Sequence, residues 1–128
     1  PTSQERAAIV TGASRGIGRA TAELLGSHGI RVAVNYRQDA AGAEATVRAI
    51  ESRGGTAVAV AADVTRPPEI ARLFDAAEAR FGRVDILVNN AGVCVGGRVE
   101  DIPSDDWTWI TNVNWWAAVH GVRTFLPG

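Results

Sequence analysis

The chain has 128 residues, of which 46% are hydrophobic and 21% are charged. This length fits one domain, so we expect residues 1–128 to form a single unit. The formal net charge of -1 excludes the strong positive field that attracts nucleic acids or anionic membranes. The sequence contains no apolar run long enough to span a membrane and no signal-peptide stretch, so we expect a cytoplasmic protein.

Cysteine and histidine are too sparse for disulfide or metal chemistry. Cys94 is the only cysteine, and His28 and His120 lie far from it in the sequence, so we expect no metal site. We expect Cys94 to fill a small buried space. The chain has no lysine, since its 13 basic residues are all arginine, and its single tyrosine is Tyr36. A mechanism that needs a Tyr–Lys pair must take that pair from elsewhere.

Short apolar runs alternate with helical patterns along the chain. The apolar runs predict strands at residues 7–10, 30–36, 57–62 and 84–88. The helical patterns predict helices at residues 17–29, 40–53, 67–81 and 104 to about 125. Ser104, which precedes two acidic residues, is the expected N-cap of the last helix.

The alternation of strands and helices predicts the fold class. Parallel strands need crossover connections, and strands that are apolar throughout are buried on both faces. We therefore expect an α/β fold of the Rossmann type, with a doubly wound parallel sheet truncated after the fourth βα unit. A loop at residues 89–97 separates the fourth strand from the last helix.

A glycine-rich turn joins the first strand to the first helix, with the sequence Thr11-Gly12-Ala13-Ser14-Arg15-Gly16-Ile17-Gly18. Backbone N–H groups and the helix dipole bind phosphate at such a place. The absence of lysine separates the turn from a nucleoside-triphosphate P-loop. Three residues separate its first two glycines, where the commonest dinucleotide fingerprint has one. The turn predicts dinucleotide binding, and a purely structural turn is the alternative.

Two motifs in this order resemble the short-chain dehydrogenase/reductase family: Thr11-Gly12-x-x-x-Gly16-x-Gly18, and Asn89-Asn90-Ala91-Gly92 after the fourth strand. The resemblance extends over the whole chain through Asp63-Val64, Asp85, and Trp107 seven residues before Asn114. Within the family the sequence is most similar to 3-oxoacyl-carrier-protein reductases and to related sugar or steroid dehydrogenases. The resemblance implies hydride transfer between a nicotinamide and a small carbonyl or alcohol substrate.

The resemblance also implies which residues bind the cofactor. Gly12, Ser14, Arg15, Ile17 and Gly18 would surround the phosphates, and Gly16 belongs to the same turn. Asp63 and Val64 would flank the adenine. The ribose and the nicotinamide would lie along Asn89, Asn90, Ala91 and Gly92. On turn statistics alone, Asn89 and Asn90 could instead cap the end of a strand.

The residue that ends the second strand indicates which nicotinamide nucleotide is bound. An acidic residue there accepts a hydrogen bond from the ribose 2′-OH of NAD and repels the 2′-phosphate of NADP. This chain has Tyr36 at that position, followed by Arg37, and Arg15 lies in the glycine turn. Two guanidinium groups can hold the 2′-phosphate, so we expect NADP(H). The alternative is that Arg37 is only a solvated surface charge.

Of the catalytic residues that the resemblance implies, the chain contains only the asparagine, Asn114, which completes a proton relay. The serine and the Tyr-Lys pair belong to later segments of the family. We therefore expect the cofactor-binding half of a truncated member, inactive unless the other half is supplied. A non-catalytic NADP-binding or interaction module is one alternative, and a flavodoxin-like protein is another.

The last predicted helix is the candidate for an interaction surface. It carries Trp107, Trp109, Trp115 and Trp116, and in the family this helix belongs to a subunit interface. We therefore expect a homo-oligomer through this helix. The alternative is that two of the four tryptophans pack on the sheet. The expected strand order, 3-2-1-4, leaves the fourth strand at an open edge.

Overall fold

Four parallel strands form one sheet. In the computed structural model, which describes residues 6–127, they are β1 (Ala7–Val10), β2 (Arg31–Tyr36), β3 (Ala57–Ala61) and β4 (Ile86–Val88). Their order is β3-β2-β1-β4, and Ile9 of β1 pairs with Ala33 on one side and Leu87 on the other. The predicted fold and strand order are confirmed. Expectations about residues 1–5 and residue 128 lie outside the described residues.

The helices follow the predicted positions closely. They are α1 (Gly16–Ser27), α2 (Ala40–Glu51), α3 (Pro67–Phe81), α4 (Ser104–Thr111) and α5 (Ala117–Phe125). A 3₁₀ helix covers Val99–Asp101. Local chemistry explains where two of the helices begin. At the start of α2, the Asp39 carboxylate accepts from the Gly42 N–H at 2.9 Å, and α3 begins with prolines, which have no N–H that needs a partner.

Helices cover both faces of the sheet. Successive strand residues point to opposite sides, so each apolar strand presents side chains to both faces. On one face, Ala7 and Ile9 of β1 pack in a cluster with Leu73 and Phe74 of α3, and Phe125 of α5 lies against it. On the other face, Val10 packs in a cluster with residues of α1 and α2. Burial on both faces accounts for the uninterrupted apolar runs in the strands.

Two expectations about the last helix need correction. One helix was expected from Ser104 to about Phe125, but a π-helical segment at Asn112–Trp116 separates α4 from α5. Ser104 is not the N-cap: Pro103 occupies that position, and no side-chain hydrogen bond caps this end. Asp105 and Asp106 do lie in the first turn, where carboxylates favour the helix dipole.

Two other details differ from the sequence analysis. The fourth strand begins at Ile86 instead of residue 84, because the Asp85 side chain takes over as an acceptor for the Ala7 N–H, at 3.1 Å. Cys94 is exposed, so the expectation that it fills a buried space is wrong. It lies in a loop that follows β4, where no second layer covers it.

The topology brings the loops that leave the four strands to one edge of the sheet. Parallel strands all end at that edge, and the strand order places β1, with its glycine turn, between β2 and β4. In open α/β sheets ligands bind in the crevice outside these carboxyl ends. Within residues 6–127, no helix is long and apolar enough to cross a membrane.

Candidate functional site

A cleft of about 750 Å³ lies at the carboxyl edge of the sheet. Its volume is within the range of roughly 300–1,000 Å³ that is usual for small-molecule sites. Most of the predicted cofactor residues line it: Gly12, Ser14, Arg15, Ile17, Tyr36, Arg37, Asp63, Val64, Asn90, Ala91 and Gly92. Three predicted residues, Gly16, Gly18 and Asn89, are not among its lining residues.

The glycine turn leaves the start of α1 free for a ligand. Gly12 and Gly16 adopt left-handed conformations, with φ of 62° and 60°, which favour glycine over other residues. Arg15, at the N-cap position, makes no side-chain cap, and the first turn of α1 has no acidic residue. The first N–H groups of a helix need a partner from outside the helix. An anion at this place would provide that partner.

Gly16 and Gly18 play different parts in this turn. A Cβ built on Gly16 meets no atom within 4 Å, so its backbone is open on that side. A Cβ built on Gly18 would collide with the Gly12 carbonyl oxygen and with Nδ2 of Asn90. Gly18 therefore permits close packing of α1 against the strand ends.

Hydrogen bonds join the glycine turn to the loop after β4. The Thr11 hydroxyl oxygen accepts from the N–H groups of Asn90 and Ala91, each at 3.0 Å. Nδ2 of Asn90 donates to the carbonyl oxygens of Thr11 and Gly12, each at 3.1 Å. These bonds fix the two loops against each other. The structure also explains why Asn89 is absent from the cleft lining: its side chain lies beside Gly121 of α5.

Opposite charges meet at the other end of the cleft. Nε of Arg37 lies 3.8 Å from Oδ2 of Asp63. Oδ1 of Asp63 accepts from the backbone N–H of Thr65 at 3.0 Å and from its hydroxyl at 2.6 Å. Burial alone raises the pKa of Asp63, but the hydrogen bonds from Thr65 and the charges of Arg37 and Arg66 outweigh it, so the pKa is below its ordinary value.

Asn114 lies in the π-helical segment and holds the loop after β4. Its Oδ1 accepts from the Val93 N–H and its Nδ2 donates to the Val93 carbonyl oxygen, both at 2.8 Å. This pair of bonds fixes the backbone that follows Gly92. Single π-turns inside helices are frequent at functional sites. The catalytic role of Asn114 stays a prediction.

All four tryptophans of the last helix are at least 40% exposed, so the alternative that two of them pack on the sheet is not what the structure shows. Trp109 lines the cleft beside Val113, which lies one helical turn further along. Trp116 stacks near His120, with ring centroids 6.2 Å apart.

Sequence reasoning missed eight residues that line the cleft: Asn35, Gln38, Asp39, Ala62, Thr65, Val93, Trp109 and Val113. Most of them directly precede or follow a predicted residue, so the rule that ligands bind where parallel strands end could have found them. Trp109 and Val113 carry no such signal. Their presence in the cleft depends on how the last helix packs.

These residues fit a nicotinamide dinucleotide, which needs an anion site and room for two ring systems. The uncapped start of α1, where Arg15 and Ile17 line the cleft, suits the pyrophosphate. The cleft continues to Asp63 and Val64 on one side and to Gly92 and Val93 on the other. Groups of ligating side chains that would hold a metal ion were not found within residues 6–127.

The chain is similar to known proteins over most of its length. The family model of short chain dehydrogenases matches residues 6–128. The 3beta-hydroxysteroid dehydrogenase 1 of Eggerthella lenta is 45% identical over 115 residues, which cover 90% of this chain and 44% of that protein. The 3-oxoacyl-[acyl-carrier-protein] reductase of a Synechocystis species is 42% identical over 107 residues, covering 84% of this chain and 43% of that protein.

Solved structures show the same similarity. A mutant short-chain dehydrogenase/reductase from Serratia marcescens superposes with a TM-score of 0.92 at 35% identity, covering 95% of this chain and 50% of that one. A dehydrogenase/reductase from Sinorhizobium meliloti gives 0.90 at 37% identity, covering 93% and 47%. The chain therefore spans about half the length of the relatives that it matches.

The packing of Gly18 gives a first prediction. Gly18→Ala would push a methyl group against Gly12 and Asn90, so we expect it to lower the free energy of unfolding by about 1–3 kcal/mol. Gly96→Ala is the matched control, because a Cβ at Gly96 meets no atom within 4 Å. Urea denaturation measures both variants. Equal stability of the two would contradict the close approach of α1 to Asn90.

The lowered pKa of Asp63 gives a second prediction. A carboxyl whose folded pKa is depressed stabilises the fold above its unfolded pKa, and this stability is lost as the pH falls through the folded pKa. We therefore expect the stability difference between the wild type and Asp63→Asn to be present at neutral pH and to vanish as the pH falls below 3.8, the ordinary value.

Urea denaturation across this pH range measures the difference. Asp75→Asn, at an exposed position on α3, corrects for the loss of one negative charge. A difference for Asp63→Asn that stays constant down to the lowest pH would show that the ionised carboxylate does not stabilise the fold.

Proposed function

Because the chain belongs to the short-chain dehydrogenase family, whose members are oxidoreductases that bind NAD or NADP, we propose that it is the cofactor-binding part of an NADP(H)-dependent oxidoreductase. Membership in this family removes the flavodoxin-like alternative. The family's substrates are small molecules. We propose a carbonyl or alcohol as the substrate of the whole protein.

The observation that carries the choice of NADP(H) is the charge around the end of β2. The cleft is lined there by Tyr36 and Arg37, and Arg15 lines it from the glycine turn. No acidic residue ends β2, so the carboxylate that would accept from a ribose 2′-OH at that position is missing. Asp63, in the loop after β3, lies within ion-pair distance of Arg37. A 2′-phosphate would add a second anion to the same arginine.

The residues of this chain then have distinct parts in binding. When bound, NADP(H) donates or accepts a hydride at its nicotinamide ring. The N–H groups at the start of α1 would hold the pyrophosphate, and Val64 would lie beside the adenine. Asn90, Ala91 and Gly92 form the wall along the ribose and the nicotinamide. Asn114 positions the backbone of Val93 at the end of that wall.

The proposed catalysis needs a Tyr–Lys pair, which this sequence does not contain. It has no lysine, and its one tyrosine, Tyr36, lies at the end of β2. In the proposed reaction a tyrosine supplies or takes the proton, a lysine lowers its pKa, and a serine holds the substrate oxygen. These three residues would come from a further segment. A non-catalytic NADP-binding module is the second candidate, since binding alone needs none of these three residues.

The exposed tryptophans support a further part of the proposal, that two or more copies associate. Trp107, Trp115, Trp116, Val122 and Leu126 are exposed large apolar residues on the last helix and directly after it. Apolar patches of this kind mark interaction sites, and aromatic residues are enriched in them. We propose a second copy as the partner. A cytoplasmic location also stays a prediction.

Titration of the folded 128-residue chain with NADPH and NADH tests the choice of cofactor. We expect tighter binding of NADPH, followed through tryptophan fluorescence. Arg37→Ala removes a charged hydrogen-bond donor, so we expect it to weaken NADPH binding about tenfold and to leave NADH binding within about twofold.

Arg53→Ala is the matched control, because Arg53 is exposed after α2 and does not line the cleft. Equal affinity for the two nucleotides in the wild type would contradict NADP(H) preference. An Arg37→Ala variant that keeps the wild-type preference would show that this residue is only a surface charge.

Complementation tests the proposed reaction. We expect a segment that carries the family's serine and Tyr-Lys elements, mixed with this chain, to restore NADPH-dependent reduction of small ketones or aldehydes, measured by loss of NADPH absorbance. Asn114→Ala would lower this rate, and Asn112→Ala is the control of the same residue type. A correctly folded pair without activity would favour the non-catalytic module.

Sedimentation equilibrium tests the association. We expect a mass above 13.5 kDa for the wild type. Trp115→Arg would shift the mass towards the monomer, since it places a charge within the apolar patch. Leu24→Arg introduces the same charge at an exposed leucine of α1, outside the patch, and is expected to leave the mass unchanged. A monomeric wild type would contradict the proposal.

A further inference from the structure

Asn35 is a polar residue near the end of a buried, apolar strand. It lies in β2, is 2% exposed, and is among the largest fully buried side chains in the described part of the chain. A buried amide without partners would destabilise the fold. It also lines the cleft. Its hydrogen bonds therefore determine what it contributes there.

The Asn35 side chain connects the ends of three strands. Its Oδ1 accepts from the Gly12 N–H at 3.2 Å, just after β1. Its Nδ2 donates to the carbonyl oxygens of Ala62, at 3.2 Å, and Val60, at 3.3 Å, at the end of β3. An N–H group lies on one side of the amide and carbonyl groups on the other, so only one orientation of the amide satisfies all of them.

These hydrogen bonds connect two walls of the cleft. Gly12 begins the glycine turn, and Ala62 directly precedes Asp63, which pairs with Arg37. The backbone assists on both sides: Ala13 N–H donates to the Asn35 carbonyl at 2.8 Å, and Ala62 N–H donates to the Tyr36 carbonyl at 2.9 Å. The side chain adds the direct link from the glycine turn to the end of β3.

The hydrogen bond to Asn35 Oδ1 also identifies the partner of the Gly12 N–H. Because it donates to Asn35, this N–H does not face a ligand, and the left-handed conformation of Gly12 is held by a buried partner. The free N–H groups at the start of α1 are then left to bind an anion, in positions that the buried bond helps to set.

We propose that Asn35 is a positioning residue that sets the distance between the phosphate-binding glycine turn and the adenosine-binding end of β3. This inference rests on the proposed binding of NADP(H). A dinucleotide must reach both walls at once, so its affinity depends on their spacing being set before it binds. A fragment that contacts one wall does not depend on that spacing.

The test compares two ligands on the 128-residue chain. NADPH spans both walls, whereas adenosine carries no phosphate group and reaches only the wall at the end of β3. We expect Asn35→Ala to raise the Kd of NADPH about tenfold and that of adenosine less than about twofold, with both titrations followed by amide chemical shifts in NMR spectra.

Two further variants keep the test informative. Ile50→Ala removes a core side chain that is 2% exposed and lies outside the cleft lining, so it controls for lost stability, and we expect both Kd values to stay unchanged. If Asn35→Ala does not fold, Asn35→Thr replaces it, because threonine favours strands but its hydroxyl is too short to bridge both partners.

Hydrogen exchange supplies a readout that does not involve ligand. We expect the Gly12 amide to exchange faster in the Asn35 variant than in Ile50→Ala at matched stability, since it has lost its acceptor. An unchanged Kd for NADPH, or an equal rise for NADPH and adenosine, would overturn the role of Asn35. A wild-type chain that binds neither NADPH nor NADH would overturn the proposed function itself, and this result is distinguishable from the others.

Discussion

The structure depends on the requirement that buried backbone groups find partners where four parallel strands end. The hydrogen bonds between neighbouring strands stop at the carboxyl end of each strand. The loops that follow therefore carry N–H and C=O groups that the sheet no longer pairs. Short polar side chains meet this requirement. Thr11 accepts from two amides of the loop after β4, and Asn35 joins the glycine turn to β3. With these contacts made by side chains, the start of α1 remains available to a ligand.

Much of the fold could be predicted because its signals are local. A strand buried on both faces needs a continuous apolar run, and Ala7–Val10 has one. Glycine, proline and aspartate mark the ends of several elements for steric and hydrogen-bonding reasons. The strand order is different, since no local pattern encodes it and the expectation came from the fold class as a whole.

The site was predicted less completely, since its contacts join distant parts of the chain. Asn35 is visible in the sequence as a polar residue in an apolar run, but its partners Gly12 and Ala62 lie 23 and 27 residues away. Asn114 was identified by resemblance, yet its bonds to Val93 could not be read from spacing. Cys94 was misjudged because apolar neighbours in sequence do not guarantee a covering layer in space.

The π-helical segment at Asn112–Trp116 changes the direction in which the following helix presents its side chains. An extra residue in one helical turn rotates the side chains that follow by about 100° relative to those before it. On one side of the segment, α4 presents Trp109 to the cleft; on the other, α5 packs Phe125 against Phe74, with ring centroids 6.2 Å apart. The segment therefore separates α4, which lines the cleft, from α5, which packs on the core. Asn114 within the segment bonds to Val93. Because both polar atoms of the Asn114 amide bond to the backbone of Val93, the loop after β4 is attached to the helix at the point where its side chains change direction.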